Sequence, residues 1–516
     1  MTNQASAETG DVSNEWQSGH RPLIEYQDSE LVIGLVAPVG TDLEQIAAGL
    51  SDQLKRAGYT PVQVRVSKEI IAKLSGLDRD GMREAQAIAA FRNAGDQLRL
   101  DGGDAVLADG VAGQIAARRV GKKDRNAYII NSLKHPEEVR RLRRIYAGGF
   151  YLIAVSPDDQ IRSQFLKRKG VADDELLDLI KNDDDEVAAH GQKLSDTFHL
   201  ADFFVRVDGD DPRLNGELWR ICRILFGDPF ATPRFDEYAM FLAFASSLRS
   251  ADISRQVGAV IARKQDILAT GANDCPRPGG GLYWPDWVPE SNRVDDRVGT
   301  RDYVAGGDPN RAQQRIIIED IVRSGASQGL DPVVLQQVLR ASALSDITEY
   351  QRAVHAEMEA LLSAARNGVN TRDATLYCTT FPCHNCAKHI IASGVERVLF
   401  IEPYRKSKAA ELHKEAIVVG PSESSYEPSK SQRVRFEPFV GVGPRRFFDL
   451  FSMRLGAGRE IDRKLETRSW DLGETAILRV QMRPASFLEM EAEADRRFVS
   501  KFPPSKPRST SQLDNS

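Results

Sequence analysis

His355-Ala-Glu357 and, further along, Pro382-Cys383-His384-Asn385-Cys386 are the two short stretches on which the reading of this chain turns. Around the first, Ala356, Glu359, Ala360, Leu361 and Ala364 are strong helix formers, so residues 352–367 are expected to form a helix with His355 and Glu357 in its first turns. Residues 374–379 read as a strand. A second helix is expected from about His384 to Ser393, with Gly394 as its stop and Pro382 just ahead of its start. Cys383 and Cys386 then lie in or beside a first helical turn, where the helix dipole favours thiolate. One histidine and two cysteines make a tetrahedral metal set with the fourth position open. The competing reading is a closed structural zinc knot, in which Cys378 extends the run to C-x4-C-x2-C and His384 or His389 lies near. A closed knot has no use for Glu357. Cys378 alternates with Leu376 and reads as a core residue of the strand, while His384 and His389 read as exposed helix residues.

The order H-x-E … P-C-x-x-C is the signature of zinc-dependent nucleobase deaminases. Hydrolytic deamination needs hydroxide at neutral pH, and zinc provides it by lowering the pKa of bound water to ~7. His355, Cys383 and Cys386 are therefore expected to hold Zn²⁺. Glu357, not a ligand, is expected to take a proton from the water and deliver protons to the ring nitrogen and the departing ammonia.

Further segments fall around the signature. Upstream lie Arg249-Ser250, Gln256-Val-Gly-Ala259 and Gly271-Ala-Asn273. Downstream come Val395-Glu-Arg-Val-Leu-Phe-Ile401 and Tyr404-Arg-Lys-Ser407. In this order they resemble the deoxycytidylate (dCMP) deaminase family, over about residues 235–440. The resemblance implies that Asn273 hydrogen-bonds the nucleotide and that Tyr404 lines the pocket. Arg249, Arg255, Arg405, Lys406 and Lys408 are candidate phosphate ligands, because phosphate recognition favours the guanidinium fork. The chain departs from the family pattern by an insertion, residues 277–350, between Asn273 and His355. Two helices are expected in it, around 310–324 and 332–344, and it would serve as a lid, a specificity wall or an oligomer contact. Cys275, at its start, stays unassigned; some relatives use a cysteine near here for a second zinc.

The N-terminal half is expected to be a domain of its own, since 516 residues exceed one compact deaminase unit. Leu31-Val-Ile-Gly-Leu-Val36 reads as a buried strand, followed by a glycine-containing loop and a helix from Leu43 to Ala57. Strands at 60–66, 128–130 and 150–155 alternate with helices, which means a parallel sheet. This opening resembles P-loop nucleotide kinases. The phosphate loop is degenerate: Gly40 and Thr41 are the nearest match to G-x-x-x-x-G-K-[ST], no frame supplies the lysine, and Asp42 and Glu44 would repel phosphate. Regulation by binding, with little hydrolysis, is expected there. The fold class expected is therefore α/β, with an N-terminal P-loop-kinase-like parallel-sheet domain and a C-terminal α/β/α cytidine-deaminase-like domain.

The expected division is a disordered tail at 1–27, the P-loop-like domain at 28–228, the deaminase domain at 229–455 and a C-terminal extension at 456–516 with a disordered end. The pairing of the two domains resembles the bacterial anti-phage dCTP deaminases. The resemblance implies deamination of dCTP, and of dCMP beside it, a homo-oligomer, and a nucleotide effector or inhibitory RNA at the N-terminal domain. A polynucleotide deaminase acting on single-stranded DNA or RNA is the alternative. It needs a basic groove, and a formal net charge of −5 gives no general affinity for nucleic acid. Two basic stretches, Arg140 to Arg144 and Lys122 to Arg125, are local exceptions. Five cysteines, two assigned to the metal, argue against a disulfide framework. With neither a signal peptide nor an apolar run of the ~18 residues a membrane helix needs, a cytoplasmic location is expected.

Overall fold

The computed structural model describes residues 29–119, 125–184, 192–209, 211–403, 407–420, 433–457, 459–461, 470–473, 476–482 and 484–503. The expected N-terminal tail, the Lys122–Asp124 stretch, Tyr404 and the end beyond Pro503 lie outside the described residues.

The first sheet is parallel through five strands: β1 (Leu31–Val36), β2 (Thr60–Arg65), β3 (Asn126–Asn131), β4 (Phe150–Pro157) and β5 (Phe203–Val207), in the order β5-β4-β1-β3-β2. Every residue of β1 is buried, as a strand covered by helices on both faces requires. The helix Leu43–Arg56 follows, with Asp42 as its N-cap accepting from the Gln45 amide at 3.3 Å.

The second sheet begins with β6 (Gly258–Arg263) and β7 (Asp266–Ala272), an antiparallel pair. The insertion contributes a small hairpin, β8 (Asp286–Val288) with β9 (Arg293–Asp295). Then come β10 (Thr375–Thr380), β11 (Arg397–Glu402), β12 (Ile417–Val419) and β13 (Val434–Pro438). The order is β12-β13-β11-β10-β6-β7, with β10 parallel to β11 and antiparallel to β6. Two glycines of the sequence motifs have a steric reason. A methyl group on Gly258 would stand 1.8 Å from the Ala243 carbonyl oxygen, in the helix Phe235–Ser247. On Gly271 it would stand 2.1 Å from the Ala356 carbonyl oxygen and 2.5 Å from the Ala360 nitrogen. Only glycine lets β7 lie directly against the helix that carries Glu357.

Past β13 the chain returns to the first sheet. Strand β14 (Gly441–Val442) pairs antiparallel with β5 through Gly441 with Phe204 and Val442 with Phe203. Arg446 then reaches Asp202 at 3.3 Å, donates to the Phe150 carbonyl at 2.9 Å and lies over the Tyr151 ring. The aromatic run at 447–451 is only partly buried: Phe448 is exposed, while Leu450 and Phe451 are in the core. Phe447 stacks on Phe241 of the helix Phe235–Ser247 at 4.3 Å, while Phe451 is buried in the core around β1 and β4. The helix Pro484–Lys501 lies on the helix Val106–Arg118, and its Glu491 pairs with Arg119. The C-terminal stretch expected as an extension is thus in good part a covering layer of the N-terminal sheet. Among the described residues no helix is long and apolar enough to cross a membrane.

The insertion forms the helices Pro309–Ser327 and Pro332–Ala341, capped by Asp308 and Asp331. Its base is clamped. Arg301, 4% exposed, lies 3.2 Å from Asp274 and 3.0 Å from Asp296 and donates to the Tyr283 carbonyl at 2.7 Å. Removing one partner of a buried ion pair strands the other charge. Arg301→Met is expected to cost about 3–5 kcal/mol of stability, read as a lower denaturant midpoint for the whole chain. An unchanged midpoint would show that the insertion contributes nothing to the stability of the unit it leaves.

Candidate active site and metal centre

His355 is the N-cap of the helix Ala356–Arg366, and Cys383 is the N-cap of the helix His384–Ala392. The first helix therefore starts later than its composition suggests. The residues before it are drawn into a bridge in which the Val354 amide donates to the Asp274 carbonyl at 2.9 Å. Helix dipoles and free amide groups converge from two sides on one point.

At that point the His355 Nδ1 atom is 3.3 Å from the Cys383 Sγ and 3.3 Å from the Cys386 Sγ. These ligand atoms all lie within 4.8 Å of one another, and no other such group occurs among the described residues. Tetrahedral zinc with Zn–N of ~2.0 Å and Zn–S of ~2.3 Å sets its ligand atoms roughly 3.6 Å apart, so the donor set fits the ion. Cys386 is fully buried and Cys383 half-buried. A hydrogen bond from Cys386 and the His355 ring draw the Cys383 thiol down to about 4, against its burial. Burial works against the His355 imidazolium, but the Cys383 thiolate and Glu357 outweigh it and push the ring up to about 9. A metal entering this site displaces protons, so loading is favoured by rising pH.

Glu357 is 4% exposed and is not one of the three converging donors. Its burial holds the carboxyl above the usual carboxylate range, opposed by His355. Cys378, expected in the core, is fully buried, and burial pushes its thiol well up.

The remaining sequence candidates divide. Asn273 is 7% exposed and uses both ends of its amide within the protein. Its Oδ1 accepts from the Val257 amide at 2.7 Å and its Nδ2 donates to the Arg255 carbonyl at 2.8 Å. It thereby ties the end of β7 to the start of β6. Arg249 stacks on Trp284 at 3.7 Å and donates to the Tyr283 carbonyl at 2.7 Å, so it faces the insertion. Arg255 faces Glu402 at 3.4 Å, and Lys408 pairs with Glu411 at 3.0 Å on the surface. Tyr404, Arg405 and Lys406 are outside the described residues. Cys275 donates to Asp302 at 3.4 Å, and burial pushes its thiol up to about 11.

Gly40 and Thr41 occupy the turn between β1 and the helix Leu43–Arg56, with Gly40 at φ 85°. The carbonyls of this turn are met by side-chain donors of the same chain. Lys134 reaches Ala37 at 2.6 Å, Thr41 reaches Pro38 at 2.7 Å and Arg162 reaches Val39. Of the arginines on the helix Pro136–Tyr146, Arg140 pairs with Glu137, Arg141 lies 3.5 Å from Asp109 and Arg143 lies 2.9 Å from Asp202.

Residues 233–402 match the family described as the cytidine and deoxycytidylate deaminase zinc-binding region. The chain is 33% identical over 167 residues to the deoxycytidylate deaminase of enterobacteria phage T4, covering 32% of this chain and 77% of that one. To the deoxycytidylate deaminase of Homo sapiens it is 26% identical over 176 residues, 34% of this chain and 68% of that one. Among solved structures, the dCMP deaminase of cyanophage S-TIM5 in complex with dCMP and dUMP aligns at 18% identity over 40% of this chain and 98% of its own, with a TM-score of 0.23.

Proposed function

We propose that this chain, which belongs to the cytidine and deoxycytidylate deaminase family, hydrolyses the exocyclic amine of a deoxycytidine nucleotide, giving the deoxyuridine nucleotide and ammonia. The observation that carries the proposal is the convergence of His355, Cys383 and Cys386 at two helix N-termini, with Glu357 buried two residues beyond His355. Zinc, the metal of this family, would be held there by His355, Cys383 and Cys386 and would supply a water whose pKa falls to ~7.

The chain's own residues do the rest. His355, Cys383 and Cys386 hold the ion, and the two helix dipoles stabilise the thiolates. Glu357 takes the two protons of the attacking water in turn, passing the first to N3 of the ring and the second to the leaving amine. Burial raises the Glu357 carboxyl above the usual carboxylate range, which makes it a better proton acceptor than an exposed carboxylate. Asn273 joins β6 to β7 with both ends of its amide, and its contact with the nucleotide would have to use the second lone pair of its Oδ1.

We carry the substrate to dCTP, with dCMP beside it, and the role to depletion of dCTP against a virus. The support is the pairing of a parallel-sheet domain, whose opening strand, turn and helix resemble a P-loop in sequence, with a deaminase domain. In this reading the N-terminal domain is the regulatory part, with little turnover of its own, since its turn offers no lysine and the two cations that reach it, Lys134 and Arg162, are engaged on the Ala37 and Val39 carbonyls. The full chain is the right sample. Deleting residues 1–228 would strip β14 and the helix Pro484–Lys501 of the surfaces they cover.

The test incubates the purified protein with dCTP, dCMP, cytidine and a cytosine oligonucleotide and follows uracil products, with phosphate release from ATP and GTP on the same sample. Uracil from the deoxynucleotides and background phosphate release are expected. Uracil from the oligonucleotide alone would overturn the substrate, and rapid phosphate release lost on replacing Gly40 and Thr41 would overturn the regulatory reading.

A further inference from the structure

The ring of His355 has a second nitrogen, and its environment is as defined as the first. Its Nε2 atom lies 2.9 Å from Oε1 of Gln351. With Nδ1 turned toward two sulfur atoms, Nδ1 must present its lone pair to a metal and Nε2 must carry the proton. An amide oxygen is then the partner Nε2 requires.

Gln351 is not a free-standing surface residue in this respect, because the chain before and after it is anchored. Asn310, at the N-terminus of the insertion helix Pro309–Ser327 and 5% exposed, donates to the Ile347 carbonyl at 2.7 Å and accepts from the Tyr350 amide at 3.2 Å. Gln314, one turn on, donates to the same Ile347 carbonyl at 2.8 Å. The Gln351 amide itself donates to Thr348 at 3.3 Å. On the other side Arg352 pairs with Asp302 at 3.1 Å and donates to the Thr300 carbonyl at 2.8 Å. Both anchors belong to the insertion.

We propose that Gln351 is a positioning residue for His355, and that the insertion is the scaffold which delivers it. By accepting the Nε2 proton, Gln351 fixes the tautomer and the rotation of the ring, so that Nδ1 meets the metal with no rearrangement. The insertion thereby bears on the metal centre through the segment that carries Gln351. This rests on the reading of His355 as a ligand.

The experiment measures release of zinc from the full chain to a competing chelator, alongside kcat and KM, for the parent, Gln351→Leu, Gln351→Glu and His355→Ala. Gln351 is exposed, so its replacement leaves the fold intact, which the melting curve checks. Removing an outer-shell partner of a metal ligand typically costs 10–100-fold in affinity. Gln351→Leu is expected to give up zinc roughly 10-fold more readily, the low end of that range because water can replace an exposed acceptor. Its kcat should fall with KM nearly unchanged. Gln351→Glu, which still accepts the proton, is expected to hold zinc at least as tightly as the parent. His355→Ala loses it. If His355→Ala loses zinc while Gln351→Leu releases it as the parent does, or if Gln351→Glu releases it as readily as Gln351→Leu, the positioning role is overturned and the ligand reading stands. Stoichiometric zinc in His355→Ala would overturn the ligand reading itself.

Discussion

Glu357→Ala is expected to retain stoichiometric zinc while its deamination rate falls by at least ~10²–10⁴, the usual worth of a positioned acid–base group. Two features of the site argue for a full loss. Glu357 is 4% exposed beside the three converging donors, and no donor atom of its own completes their group. Its carboxyl sits in a dry environment that raises its proton affinity, so water is poorly placed to stand in for it. Glu357→Gln keeps the volume and removes only the titratable proton, which separates a packing effect from the loss of proton transfer. Metal analysis beside steady-state rates decides the matter. A Gln variant working near the parent rate would remove Glu357 from the chemistry.

Cys386→Ala is expected to empty the site, to abolish activity with it and to lower the unfolding midpoint. Cys386 is fully buried in the first turn of the helix His384–Ala392 and sits 3.3 Å from the His355 Nδ1. It provides one of three protein ligands, and binding free energy lost from such a set is lost from the folded state as well. The contrast with Glu357→Ala is the informative part: one variant keeps the ion and loses the proton carrier, the other loses the ion. Cys383→Ala should behave as Cys386→Ala does. Stoichiometric zinc in either cysteine variant would show the ligand set to be wrong.

The candidate metal set was legible in the sequence from its motif, but only part of it is fixed by local geometry. Cys386 follows Cys383 within a turn, so spacing brings the two cysteines together, whereas His355 caps a separate helix and is brought to them by the packing of the two helices. The glycines of the strand motifs were legible as glycines, but their reason was not. Only the structure shows the Ala243 and Ala356 carbonyls standing where a methyl group would go. Asn273 reads as a polar residue at a strand end, and sequence cannot tell that both ends of its amide face the backbone of Arg255 and Val257. The turn at Gly40 shows the same limit. A strand, a turn and a helix follow from composition, whereas the direction in which the turn's carbonyls point depends on Lys134 and Arg162, which come from distant segments. Gln351 left no signal, since an exposed glutamine fits any surface. The return of the chain to the first sheet was hidden for a similar reason. Two residues, Gly441 and Val442, are too few to carry a strand periodicity.

That short strand has a consequence for the protein while it is being made. Phe203-Phe-Val-Arg-Val207 is an apolar strand whose outer edge is covered, in the finished chain, by Gly441 and Val442. An uncovered strand edge of this composition is a template for pairing with another chain. The cover lies roughly 230 residues downstream. At the ~5–20 residues per second of translation, a nascent chain carries the bare edge for tens of seconds before its cover has left the ribosome. During that interval Arg206 is the one charge the strand itself sets against aggregation.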